Sequence, residues 1–346
     1  FSLRAGNRDI DTVLTWGFPN IRYWSHLATW LLPLAAAAQR SGSLAALPLV
    51  KGLFVLSGSF WWWILFSTSA RGSALGLLIG SLVVVALFKR DALGWLRSLG
   101  VQFLGGSALW LILTLFLPWS FFGAAELREI DADSAGRILL WREAWEMSLV
   151  NFPFGMGPQS WLTHVVLSEG YASSKPYGHP HNMYLLWAAE YGWISVVALA
   201  FAAAAIIRSV LSCRRRLRAG GCDHTILAGF TASVVAASVH SGFSAVLIAP
   251  ASMLTGFLVL TLFMSTLRPP YLAVSLSCSI SPRRLMRLSS GLALLTVLVV
   301  GPFWMHEIGR YYQDNMEDRL TYKGQGSIYS PRFWSHGDFP RQLVED

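Results

Sequence analysis

Apolar and polar positions along this chain separate into long blocks, not into the two-residue alternation of a half-buried strand or the narrow stripe of a soluble helix. Eight apolar runs stand out, at 22–39, 46–66, 72–88, 99–118, 183–207, 225–247, 250–267 and 288–305. A helix needs about 17–25 such residues to cross a bilayer, and the first and third runs are short for that task. Pro33 and Pro48 are expected to kink the first two helices, with neighbouring helices satisfying the freed carbonyls. The sixth and seventh runs are joined so tightly that a hairpin around Pro250 is expected. No sustained repeat or low-complexity tract interrupts the pattern. It predicts an all-α polytopic membrane protein of about eight transmembrane helices, with one large external loop between spans four and five.

Composition agrees. Of the 346 residues, 54% are hydrophobic and only 13% are charged, against about 25% charged in soluble domains. Sixteen Trp and twenty Phe suit the aromatic belts of a membrane interface. The net charge of +8 invites a nucleic-acid reading, but the cations sit in short connections between apolar runs. Arg208, Arg214, Arg215, Arg216 and Arg218 share one such connection; Lys89, Arg90 and Arg97 share another. That is the placement of the positive-inside rule, so no nucleic-acid partner is expected. Putting the basic connections in the cytoplasm leaves the N-terminus, 68–71, 119–182 and the chain after Met305 outside, with Trp61, Trp62 and Trp63 near the outer interface. Cys213, Cys222 and Cys278 then lie on the cytoplasmic side, where a disulfide framework is not expected. The chain begins with Phe1, without a visible signal peptide, and is expected to be a fragment lacking helices upstream.

Four parts follow. N-terminal helices occupy 1–118, a large external loop 119–182, C-terminal helices 183–305 and a polar tail 306–346. Polarity is concentrated in the loop. Its stretch 134–149 is predicted helical, with Ser134 as a cap. Arg137, Trp141 and Trp145 recur at i, i+4 and i+8 and so share a face, while Arg142 and Glu146 share a neighbouring one. Asn151 to Pro158 is a Pro- and Gly-rich turn region. Asn182 is placed to cap the fifth span, which puts His179 and His181 at the mouth of that helix. Glu190 lies eight residues beyond Asn182, ~12 Å along the axis.

Three polar elements therefore gather on the external side: Arg71 at the start of the third span, Arg137 and Arg142 on the loop helix, and the two histidines. Guanidinium forks donate paired hydrogen bonds to phosphate oxygens, and an imidazole exchanges protons near neutral pH. The same residues also fit plainer readings. Arg71 can snorkel from a helix end, Arg142 can pair with Glu143 or Glu146 in solvent, and His181 can simply start a helix. Glu190 is harder to dismiss, because an ionisable group inside a span is a functional suspect by default, although it could serve only to pair an arginine. His179 and His181 with His164 and Glu169 offer zinc-ligand types, but their spacing matches no strong motif, and no metal or cofactor is expected. Gly72, Gly76 and Gly80 read as a helix-packing face.

The order of these elements resembles the O-antigen ligase and polymerase superfamily of bacterial envelope glycosyltransferases. The residues that carry the resemblance are Ser69-Ala70-Arg71-Gly72 opening a span, then Arg137-x4-Arg142 with Trp145, Pro153-x-Gly155-x-Gly157, and His181-Asn182-Met183-Tyr184-Leu185 followed by Glu190-Tyr191-Gly192. The stretch from Val239-His240-Ser241-Gly242 to Pro250 is a weaker echo. The family often carries an Asp there that this chain lacks, so no catalytic role is carried to that helix.

The resemblance implies a metal-independent, multi-pass enzyme of the bacterial inner membrane, active on its periplasmic face in lipopolysaccharide or related polysaccharide biosynthesis. The implied donor is a glycan on undecaprenyl pyrophosphate, and the implied acceptor is a hydroxyl of lipid A core or of a protein, with membrane lipids as surroundings. Arg71, Arg137 and Arg142 would bind the pyrophosphate, and His181, with Arg137, Arg142 and Glu190, would form the catalytic set. Asn182, Tyr184, Trp141 and His179 would orient the acceptor. A polymerase using the same donor stays open beside a ligase. A transporter of polyprenyl-linked glycans is the non-enzyme alternative; polar groups at mid-membrane or broken helices in matched halves would favour it.

Overall fold

The computed structural model describes residues 22–41, 47–123, 135–172, 177–220 and 224–268, with four further positions between 298 and 306. Among the described residues every regular element is helical. In chain order these are α1 (Arg22–Ala38), α2 (Pro48–Ser67), α3 (Arg71–Phe88), a 3-10 turn (Lys89–Ala92) and α4 (Leu93–Trp110). A π-helical stretch, Leu111–Phe116, continues α4 into α5 (Leu117–Phe122). Pro118 lies two residues past that stretch, and a ring without an N–H is a recognised cause of such a change in helix pitch. Next come α6 (Ala135–Val150), the single turns α7 (Ser160–Thr163) and α8 (Glu169–Ala172), and then α9 (Met183–Ala219), α10 (Thr225–Ser241) and α11 (Pro250–Leu267).

Four described stretches are long and apolar enough to cross a membrane: Pro48–Ser67, Arg71–Phe121, Met183–Ala219 and Pro250–Leu267. Thr225–Ser241 is apolar but shorter. Seven of the eight expected runs coincide with helices; the eighth, 288–305, lies outside the described residues apart from isolated positions, as do Ser134 and the tail beyond 306. The run Arg71–Phe121 is interrupted at Lys89, whose φ of 52° breaks the helix at its basic connection.

Several expected boundaries change. α9 continues to Ala219, well past 207, because Arg208 to Arg218 extend the helix beyond its apolar part. α10 stops at Ser241, not 247. The apolar residues that follow belong to a turn region in which Ala245, Val246 and Ala249 are buried, so their hydrophobicity reports burial of a loop. Pro48 opens its helix instead of bending it, and Pro250 likewise opens α11, since the first turn has no use for their missing N–H. Pro33 does lie inside α1, and its carbonyl accepts the Trp95 indole N–H at 2.9 Å.

The centre of the bundle is α10, packed against α1 and α3. Small residues set the distance. A Cβ on Gly80 would stand 2.6 Å from the Ala232 carbonyl oxygen, and one on Gly76 would run into that of Ala236. The packing face read from the four-residue glycine spacing is therefore the α3–α10 contact. Ser233 donates to the Trp30 carbonyl at 2.7 Å, and Trp30 donates to the Ser252 hydroxyl at 3.2 Å, tying α1 to both α10 and α11. A second, smaller core joins α6 to the first turns of α9, and it positions the site.

Candidate active site

Helix α6 buries Leu140, Ala144 and Met147 against Leu186 and Ala189 of α9, with Trp161 and Tyr171 completing the cluster. Glu143 lies on that same face and is wholly buried. It does not pair with Arg142. Its Oε1 accepts from His164 Nε2 and from the Leu167 N–H, each at 2.8 Å. Its Oε2 accepts from the Ser168 N–H at 2.8 Å and from the Ser168 hydroxyl. Burial works to raise the pKa of this carboxyl, but the hydrogen bonds from His164, Leu167 and Ser168 outweigh it and hold the group below its usual 4.5. His164 Nδ1 faces the carbonyls of Ser160 and Trp161 at 3.0 and 3.1 Å, so both ring nitrogens meet acceptors. Glu143 and His164 thus pin residues 164–168 to the loop helix.

The Pro153–Gly157 turn is locked to α9 through backbone hydrogen bonds. α9 is broken at Gly192, which has φ 78° and ψ 171°. The break exposes carbonyls, and the turn supplies donors: the Met156 N–H reaches Ala189 O at 2.8 Å and the Gly157 N–H reaches Glu190 O at 2.9 Å. Gly155 and Gly192 touch backbone to backbone, leaving no room for a side chain on either. Glu190, also buried, accepts the Trp161 N–H at 3.2 Å, and Trp161 donates its indole N–H to Tyr177 O at 2.8 Å. Pro-x-Gly-x-Gly and Glu-x-Gly, two motifs nearly forty residues apart, are two halves of one contact.

At the mouth of α9, Asn182 Oδ1 accepts the N–H groups of Tyr184 and Leu185 at 3.0 and 3.1 Å, the cap expected from sequence. His181 holds a positive φ of 55°, and its N–H donates to His179 Nδ1 at 3.0 Å. The two imidazoles stand edge to face with centroids 4.3 Å apart, and Tyr177 packs against His181 from 5.5 Å. The Tyr184 hydroxyl donates to Ser238 O at 2.7 Å, which joins this mouth to α10.

The arginines separate. Arg142 is an exposed residue whose guanidinium pairs with Glu146 at 3.0 Å, its side chain 71% accessible. Arg137 is half-buried and acts electrostatically on His240 at the end of α10. Trp141, one turn along α6 from Arg137, packs on Phe243 at 6.3 Å, and Trp145 packs edge to face on Trp193 at 5.5 Å. The predicted Arg137–Trp141–Trp145 face therefore lies across the ends of α9 and α10. Arg71 is exposed at the first residue of α3. Its neighbour Gly72 abuts His240, where a Cβ would stand 2.8 Å from Cδ2 and 3.1 Å from Nε2.

Gly72, next to Arg71, and Arg137 on α6 thus both bear on His240, a residue with no role assigned from sequence. An ionisable side chain deep in an apolar run was the available signal. For Glu143 the signal was weaker: it shares the spacing of the buried Leu140, Ala144 and Met147, but stands next to Arg142.

Residues 52–200 match the family model described as O-antigen ligase. The match contains Arg71, Arg137, Arg142, His179, His181, Glu190 and the Gly155–Gly192 contact, and it stops short of His240. No curated protein and no solved structure matches the chain. With its apolar helices the chain is a multi-pass membrane protein, and over residues 52–200 it is similar to the O-antigen ligase family.

Proposed function

We propose that the protein transfers a glycan from undecaprenyl pyrophosphate to an acceptor hydroxyl on the periplasmic face of the bacterial inner membrane, and that it acts as a ligase. The observation that supports this reading is at the end of α10, where Arg137 acts electrostatically on His240 and Gly72, the residue after Arg71, abuts the same ring. Two guanidinium groups at such a point suit a pyrophosphate, whose charge grows as the glycosidic bond breaks. The family description names a ligase; a polymerase would use the same donor site.

In this mechanism the acceptor oxygen attacks the anomeric carbon as the bond from that carbon to the pyrophosphate oxygen breaks, with inversion. The electron pair leaves on the lipid pyrophosphate, where Arg71 and Arg137 stabilise it. His181 takes the hydroxyl proton, held by the backbone geometry that sets its N–H on His179. Arg142 meets the donor from the solvent side. Glu190 positions the loop through Trp161 and does not itself touch the reacting atoms. Asn182, Tyr184 and Trp141 shape the acceptor side.

Deleting the gene and examining the surface glycan separates the two enzyme readings. A ligase leaves finished lipid-linked polymer without its acceptor. Accumulation of single repeat units would show a polymerase instead, and an unchanged glycan would oppose both.

A further inference from the structure

His240 is set by a hydrogen-bond arrangement that fixes its tautomer. Its Nδ1 lies 3.0 Å from the Thr29 hydroxyl and 3.2 Å from the Ser73 hydroxyl. Each hydroxyl has one proton to give, and each donates to the Ser25 carbonyl, at 2.8 and 3.0 Å. A carbonyl oxygen can only accept. Both hydroxyls therefore turn lone pairs toward the imidazole, and the ring proton resides on Nδ1. Nε2 is left as an acceptor.

That nitrogen faces the first turn of α3. The space is kept open by Gly72, where a Cβ would stand 3.1 Å from Nε2 and 3.6 Å from the Phe243 Cβ. Phe243 is also the ring on which Trp141 rests, so α6 is docked over the same end of α10, and Arg137 on α6 is within electrostatic reach of the ring. On the other side, His26 of α1 packs edge to face against His240 at 5.1 Å and is tied through Nε2 to the Ser244 hydroxyl at 2.8 Å. The ring cannot swing away. A side chain locked by such a shell is the arrangement that fixes the direction of a neighbouring binding group.

We propose that His240 is a positioning residue for the pyrophosphate site: its Nε2 accepts a hydrogen bond from the Arg137 guanidinium and aims the remaining donors of that fork, together with Arg71, at the phosphate oxygens. This rests on the reading of Arg71 and Arg137 as the pyrophosphate clamp. Thr29 and Ser73 serve it by holding the proton on Nδ1, and Gly72 by leaving the space open.

Asn and Gln substitutions separate this role from a packing role. Asn places its amide near the Nδ1 position and keeps the contact with Thr29 and Ser73. Gln carries an acceptor out to the Nε2 position. The full chain, purified in detergent, is titrated with undecaprenyl pyrophosphate, and glycan transfer is assayed separately. His240→Gln is expected to bind within ~3-fold of the unsubstituted protein and His240→Asn to bind more than ~10-fold more weakly, a loss of one charge-assisted hydrogen bond. Ser73→Ala, which removes less, is expected to weaken binding measurably with little change in thermal midpoint. Asn binding as tightly as Gln, or Ser73→Ala binding like the unsubstituted protein, overturns the proposal. Binding in the expected order without any glycan transfer would sink the proposed reaction and leave the positioning role standing. A chain that binds no pyrophosphate lipid sinks both.

Discussion

Gly155 and Gly192 meet backbone to backbone. A Cβ on Gly155 would stand 2.5 Å from the Gly192 nitrogen, and one on Gly192 would run into the Pro153 carbonyl oxygen. Both residues also hold positive φ, 75° and 78°, a region that costs a side-chain-bearing residue about 1–3 kcal/mol. The contact joins the loop to the broken helix α9 and holds the Pro153–Gly157 turn against the carbonyls of Ala189 and Glu190.

Gly192→Ala is therefore expected to lower the thermal midpoint and to abolish transfer, because the strain and the collision act together. Gly155→Ala should behave alike. Gly100→Ala, at a position with nothing within 4 Å, should leave both properties unchanged. Thermal unfolding in detergent alongside the transfer assay measures this. An active, equally stable Gly192→Ala would contradict the lock.

Glu143 makes acid stability a local property of the loop. Its folded pKa lies below the usual 4.5, so its contribution is complete above that value and is lost as pH falls through the lower, folded one. Glu143→Gln is expected to unfold at a lower temperature than the unsubstituted protein at neutral pH, with the gap narrowing as the pH drops below 4.5. Thermal midpoints across pH read it directly. A gap that stays constant into acid would show that the carboxylate is not what pins residues 164–168.

Arg137 and Arg142 should part company. Arg137 is half-buried and within electrostatic reach of His240, whereas Arg142 is exposed and paired with Glu146. Arg137→Ala is expected to cost ~100-fold or more in transfer, the scale of losing a donor to developing negative charge. Arg142→Ala should cost less than ~10-fold, since a solvated ion pair contributes little. Rates at saturating donor decide between them, and equal losses would contradict the geometry.

The helices were legible because lipid-facing and core-facing residues are both apolar, which leaves continuous runs such as 48–67 and 250–267. The Asn182 cap and the glycine face of α3 were legible because their spacing is local. The end of α10 was not, since Ala245 and Val246 are as apolar in a buried turn as in a helix. Glu143 looked like a partner for its sequence neighbour Arg142, and only the fold brings His164 and Ser168 to it. The link between Gly155 and Gly192 likewise joins motifs that sequence order keeps apart. His240 went unassigned because its partners, Thr29, Ser73 and Arg137, come from three other helices.

The central claim is that Arg137 and His181 carry glycan transfer from a lipid pyrophosphate. The most direct measurement supplies the purified protein with an undecaprenyl-pyrophosphate-linked glycan and an acceptor, and follows release of undecaprenyl pyrophosphate with formation of the glycosylated acceptor. The unsubstituted chain is expected to form both products, while Arg137→Ala and His181→Ala form neither, although both variants insert into the membrane and unfold at normal temperatures. Full transfer by both variants would contradict the account.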